Sequence, residues 1–424
     1  MTRQDPEGFG PRAGADWAVP ALLPRLPGLD HTFTLLRQGY HFIGRNCDAM
    51  HVDGFRARLM GREAVCLRGP EAGRLLYGSD VVTRQGAMPA TVLRLLQDKG
   101  SVQQLEGEEH RARKAMFIRL VMDPARVDAL VRGFEAAWRA QLRPGTEISI
   151  LHLANAALTR AVCHWAGLYP SEARLRQLTR VLFAMSDRTG HFSPSTLVTL
   201  MQRRRVERWL RQQAAAARAG GNAPEGSALA VMAAELPPEV AAVEILNILR
   251  PVVAVGRYIA FSAKALHEHP IWCGLFHSGN EDYITDFCEE VRRISPFFPF
   301  TAAVATRDVE WQGATIAAGT RILFDIYGTN NDARNFPLPH KFRPERMLDW
   351  KVEDPAFVPQ GAGAVATTHR CPGEAMTLAL MASAVRMLCN EMSYELPPQD
   401  LSVAMNRVPA QPASGVRIRV QRID

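Results

Sequence analysis

The sequence predicts a mainly α-helical globular protein with small β-sheets, and three observations predict it. From about Asp80 to Gln213 apolar residues recur three and four apart, the period of helices with one buried face. From Pro238 to His269 a nearly continuous helical pattern carries an apolar centre, as a core helix does. Strand-like alternation is confined to short runs around Gly61, around Gly313 and Gly319, and after Pro397.

Composition bounds the rest. Hydrophobic residues make up 47% and charged residues 22% of 424, which excludes a disordered chain or a coiled-coil rod. A net charge of +7 falls short of a nucleic-acid-binding signature. The seven cysteines are scattered and never form C-x-x-C pairs, which argues against a disulfide framework or zinc ribbon. Residues 1–30 read as an irregular lead-in without the basic start and apolar core of a signal peptide, and no run is long enough to span a bilayer. The expectation is one domain over residues 1–424, soluble and cytoplasmic.

In chain order, Phe55–Arg68 alternates about Gly61 as a hairpin would. The stretch 203–227 reads as a basic helix, with its charges on a solvated face, running into a Gly- and Ala-rich connector. Within the core helix, Arg250 is followed by Pro251, whose ring removes the hydrogen bond to the Asn247 carbonyl and kinks the helix. No carboxylate stands three or four positions from Arg250. A buried guanidinium without a partner is costly, so a distant acid, solvent or a ligand anion must meet it. Glu290 and Arg293 fall three apart on one helical face and can pair.

Cys371 follows a Gly-rich loop, Pro359–Gly363, and precedes Pro372, Gly373 and a long apolar helix. Placed near the first turn of that helix, with His369 and Arg370 adding positive charge, its sulfur is favoured as a thiolate that could bind metal or act as a nucleophile. A buried structural cysteine satisfies the same spacing.

Glu290–Arg293 with Pro296, then Asn335–Arg346, then Gly361–Gly363 leading to His369–Gly373, stand in the order and spacing of cytochromes P-450. With Arg84 and the segment Glu106–Lys114, the resemblance extends over nearly the whole chain. It implies the cytochrome P-450 fold around a buried haem b, with Cys371 as the thiolate ligand of iron. It also implies Arg84, His110 and Lys114 as haem-propionate partners, and Glu290 and Arg293 as structural residues beneath the haem. His110 and Lys114, one helical turn apart, can share a target.

Two departures narrow the resemblance. Gln360 stands where most of the superfamily has Phe, with a longer stretch between Gly363 and Cys371. Arg250 and Pro251 replace the acid-plus-Thr pair that usually delivers protons to iron-bound dioxygen. With Pro296–Phe300, this pattern resembles the fatty-acid peroxygenase branch. The implied partners are a long-chain fatty acid and hydrogen peroxide, with no obligatory redox partner. Arg250 would hold the substrate carboxylate as the acid–base group, Phe297 and Phe300 would line the channel, and reaction would fall on the α or β carbon. Gln103 aligns with a position that is Gln in hydroxylating relatives and His in those that mainly form terminal alkenes. Gln97, where relatives often carry Phe, implies a looser or more polar pocket. Decarboxylation, a reductase-dependent monooxygenase and a non-catalytic haem sensor are the alternatives.

Overall fold

The computed structural model describes residues 23–190, 193–348, 350 and 354–423. Residues 1–22 of the expected lead-in lie outside these; residues 23–30 form no helix or strand, and Arg25 makes a lone bridge to Arg56.

The strands are Gly54–Leu59 (β1), Arg62–Leu67 (β2), Val82–Thr83 (β3), Glu147–Ser149 (β4), Phe300–Ala305 (β5), Val309–Trp311 (β6), Ala314–Ile316 (β7), Arg321–Asp325 (β8), Met392–Glu395 (β9) and Arg417–Ile423 (β10). One sheet has the order β1-β2-β8-β5-β3, a second β4-β10-β9, and β6 pairs with β7. The β1–β2 hairpin turns through Met60 and Gly61, with Leu59 opposite Arg62. Both turn residues have positive φ, 54° and 73°. That double left-handed geometry matches the twist of a two-residue hairpin and explains the glycine.

Helices fill most of the remaining chain, and several begin where the sequence supplies a cap. Asp123 and Ser227 accept from the backbone N–H groups of Arg126 and Ala230, satisfying donors that a helix start leaves free. The helix Pro238–Ala254 is buried almost all round from Ala241 to Arg250, which identifies it as the centre of the largest apolar core. It packs against Ile150–Trp165, Glu172–Asp187 and Pro194–Arg218.

The continuous helix expected over Pro238–His269 is two helices, Pro238–Ala254 and Gly256–Glu268. At the joint the Val255 N–H reaches only three residues back, to Val252. Gly256 sits against Asn155, where an added Cβ would come within 2.2 Å of the amide oxygen and displace that side chain.

The basic run also differs from expectation at one end. Arg203 is buried, not solvated, and its guanidinium meets Asp98 Oδ2 at 2.5 Å and Glu207 at 2.8 Å. No helix among the described residues is long and apolar enough to cross a membrane.

Candidate functional site: a thiol and a buried guanidinium on one cavity

A cavity of about 370 Å³ lies between the central helix and the loop that ends at Cys371. Cys371 precedes, rather than occupies, the first turn of the helix Glu374–Asn390. Its backbone N–H donates to Gln360 O at 3.0 Å, and the Gly373 N–H is directed at its sulfur. Gly361 makes the loop possible: at φ +109° its missing Cβ leaves room for the Tyr77 ring and the Arg370 backbone, which a side chain would approach to 2.9 and 3.0 Å.

Burial and charged neighbours act on the sulfur in opposite directions. Burial pushes the Cys371 thiol up, and the Gly373 N–H, Gln360 and Lys114 lower it by less. Burial lowers His369, which hydrogen-bonds Glu106 at 3.4 Å. Arg370 pairs with Glu374 at 2.8 Å, and Glu374 also binds the buried Arg292, so much of the local positive charge is already balanced. Burial thus opposes the thiolate that these neighbouring groups favour, and a bound metal would stabilise it.

His110 and Lys114 both face the cavity from the helix Gly107–Val121. His110 stacks on His369 with ring centres 4.1 Å apart, and burial draws it down to about 4, so it is a neutral hydrogen-bonding group near pH 7. The Lys114 ammonium is bound by the carbonyls of Thr368 and Arg370, bracing the Cys loop, and burial lowers it to about 8. Arg84 stands behind the wall: it donates to Ala302 O at 2.9 Å, Thr301 Oγ1 at 3.2 Å and Leu76 O at 3.2 Å, while Thr301 and Tyr77 face the cavity.

On the central helix, Arg250 and Pro251 line the opposite side of the cavity. Arg250 donates through Nη2 to Leu96 O at 2.7 Å, and its Nε is buried without a partner. Among the described residues no carboxylate lies within ion-pair distance of it. Burial, with the nearby charge of Arg203, draws it down to about 10, so it stays cationic. Gln103, Gln97, Phe297 and Phe300 also line the cavity. Phe297 stacks on Tyr258 at 4.6 Å, and the Tyr258 hydroxyl has no partner.

Glu290 and Arg293 lie away from the cavity. Both are fully buried and joined by two hydrogen bonds of 2.7 and 2.8 Å. Arg293 also holds the carbonyls of Asn330 and Pro339, tying the helix Ile284–Ile294 to the Pro-rich meander.

Sequence reading missed Glu244, Asn247 and Tyr258. Glu244 is fully buried and receives the Val102 N–H at 2.8 Å, Arg113 at 2.7 Å and Asn247 at 3.0 Å; Asn247 then reaches Gln103 at 3.3 Å. A lone carboxylate on an apolar helix was the available signal.

A mainly apolar cavity lined by a thiol and by polar side chains has the donor set of a haem-thiolate centre, and the residues fit that group. The Cytochrome P450 family model matches residues 280–408. Among curated proteins, Putative cytochrome P450 137 of Mycobacterium tuberculosis is 30% identical over 142 residues, 33% of this chain and 29% of that protein. Salutaridine synthase of Papaver somniferum is 27% identical over 124 residues, 27% of this chain and 24% of that protein. The chain thus aligns with under a third of the length of these curated relatives. Solved structures match nearly end to end, and with them the chain belongs to the cytochrome P450 family, with haem b as cofactor and Cys371 as the thiolate ligand. Cytochrome P450EX alpha (CYP152N1) with myristic acid superposes with a TM-score of 0.91 at 36% identity, covering 94% of this chain and 98% of that one. Cytochrome P450SP alpha (CYP152B1) gives 0.90 at 39%, covering 93% and 100%, and P450 OleT in complex with arachidonic acid 0.90 at 31%, covering 95% and 99%. These place the chain in the CYP152 branch.

Proposed function

We propose that the protein is a fatty-acid peroxygenase, hydroxylating long-chain fatty acids at the α or β carbon with hydrogen peroxide and no obligatory redox partner. The observation that carries this reading is the buried Arg250 guanidinium, open to the cavity and without a carboxylate among the described residues. A fatty-acid carboxylate is the anion that fits it, forming charge-assisted hydrogen bonds in an apolar enclosure. Two of the solved relatives are described with myristic and arachidonic acids.

Haem supplies the oxidising chemistry when bound. The chain's own residues do the rest. Arg250 fixes the carboxylate, and Pro251 beside it omits one backbone hydrogen bond, to the Asn247 carbonyl, in a helix that runs on to Ala254. The anchored carboxylate oxygen serves as the proton carrier for peroxide. Phe297 and Phe300 guide the alkyl chain, and the anchor keeps the first two carbons, not remote ones, at the reacting position. Gln103, steadied by Asn247, is the polar side chain that supports hydroxylation over alkene formation.

The test is product analysis of the purified haem protein given hydrogen peroxide and a saturated long-chain fatty acid, beside Arg250→Ala. Hydroxy acid from the parent and at least about 100-fold less from the variant is expected, since losing one side of a buried ion pair costs about 3 kcal/mol or more. Turnover only with electrons from a reductase would overturn the reading.

A further inference from the structure

Arg250 is itself held by a short segment of chain. Its hydrogen bond goes to Leu96 O, the last carbonyl of the helix Ala90–Leu96. The next two residues are held by a second guanidinium from another helix. Arg203, on Pro194–Arg218, donates to Gln97 O at 3.4 Å and to Asp98 Oδ2 at 2.5 Å. Residues 96–98 are thus gripped by two arginines that are remote in sequence. Leu96, Gln97 and Arg250 line the cavity, while Asp98 and Arg203 do not.

Asp98 has a backbone conformation that needs such a grip. Among the described residues, His51, Met60, Gln312, Leu338 and Val416 have φ between 46° and 57°, the ordinary left-handed region, whereas Asp98 stands at 114°. A residue with a Cβ rarely adopts that value, and it persists where the surroundings fix it from several sides. Here they do. Asp98 is buried, its Oδ1 takes the Lys99 N–H at 2.7 Å and stands 3.6 Å from Arg94, and its carbonyl takes the Ser101 hydroxyl at 2.8 Å. Charge balance alone does not account for the aspartate, because Glu207 already pairs with Arg203 at 2.8 Å. A carboxylate near the anchor would also repel an anionic ligand, so the use of Asp98 is conformational.

We propose that Asp98 and Arg203 are positioning residues for substrate binding. The pair fixes the turn after the helix Ala90–Leu96 and so aims the Leu96 carbonyl at Arg250 Nη2. That contact sets how the rest of the Arg250 guanidinium faces the cavity and therefore how well it receives a carboxylate. The inference rests on the reading of Arg250 as the carboxylate anchor.

The experiment titrates the haem protein, without peroxide, with a saturated long-chain fatty acid and with its methyl ester, reading the shift of the Soret band. The ester has the same chain and no carboxylate. Asp98→Gly permits the turn without holding it, and Arg203 keeps Glu207 as its charge partner. Loss of a nearby negative charge would by itself tighten binding of the acid. The expected result is the opposite: Kd for the acid about tenfold higher in Asp98→Gly, the size of one misaligned hydrogen bond to a charged group, with Kd for the ester unchanged. Asp98→Asn keeps an oxygen that accepts from Arg203 and should bind the acid nearly as the parent does. Acid and ester weakened alike in Asp98→Gly, or the acid bound as tightly as by the parent, would overturn the positioning role. A parent that binds the ester as tightly as the acid would overturn the reading of Arg250 itself, and this inference with it.

Discussion

Glu244 and Arg113 meet at 2.7 Å inside the protein, and the same carboxylate oxygen takes the Val102 N–H at 2.8 Å. One buried acid thus anchors the segment that carries Gln103 to the helix that carries Arg250. Its second oxygen holds Asn247, which holds Gln103.

Replacing Glu244 tests whether this anchor positions the distal wall. Glu244→Ala leaves Arg113 uncompensated and should cost about 3 kcal/mol or more of stability. Glu244→Gln keeps an acceptor and should cost about 1–3 kcal/mol. Denaturant midpoints would rank the two. In Glu244→Gln, kcat should fall more than KM for fatty acid rises, because Arg250 keeps its own hydrogen bond to Leu96 while the support of Gln103 through Asn247 is weakened.

The Glu290–Arg293 pair makes a different prediction. Glu290 neutralises Arg293 and stands 3.3 Å from Arg346, and both members of the main pair are fully buried. Glu290→Ala strands two guanidinium groups and should cost about 3–5 kcal/mol. Thermal unfolding should show it, together with lower haem content in the purified protein.

Asp325 sets a pH dependence. Burial pushes its carboxyl up to about 7, although it caps Gly328 through one oxygen, and its other oxygen has no partner. The folded state therefore favours the protonated acid. The stability this contributes is complete below the ordinary value of 3.8 and is lost as pH rises through about 7. Between pH 4 and pH 8 the parent should lose up to about 4 kcal/mol relative to Asp325→Asn. Chemical denaturation of both proteins at the two pH values measures it, and parallel curves would refute it.

Gln103→His probes the reaction outcome. An imidazole titrates near neutral pH and can carry a proton where the amide cannot. The fraction of terminal alkene among products should rise several-fold, read by gas chromatography of parent and variant reactions.

Much of the fold is legible because helices and hairpins are local. The three-and-four periodicity between Asp80 and Gln213, and the left-handed turn at Gly61, reflect interactions within a few residues. The need for glycine at 256 is not legible, because the Asn155 side chain it approaches is on another helix. Arg203 read as one more surface cation for the same reason: the Asp98 that buries it is remote in sequence.

By itself, the sequence determined the helical class, the loop that presents Cys371, and an arginine without a local acid, since each is written in neighbouring residues. Tertiary structure alone decided how the charges are used. Lys114 braces the Cys loop, Arg84 holds β5 from behind the cavity wall, and burial keeps His110 neutral. The physical reason is that ionisation and pairing depend on desolvation and on partners close in space, and neither is a property of sequence spacing.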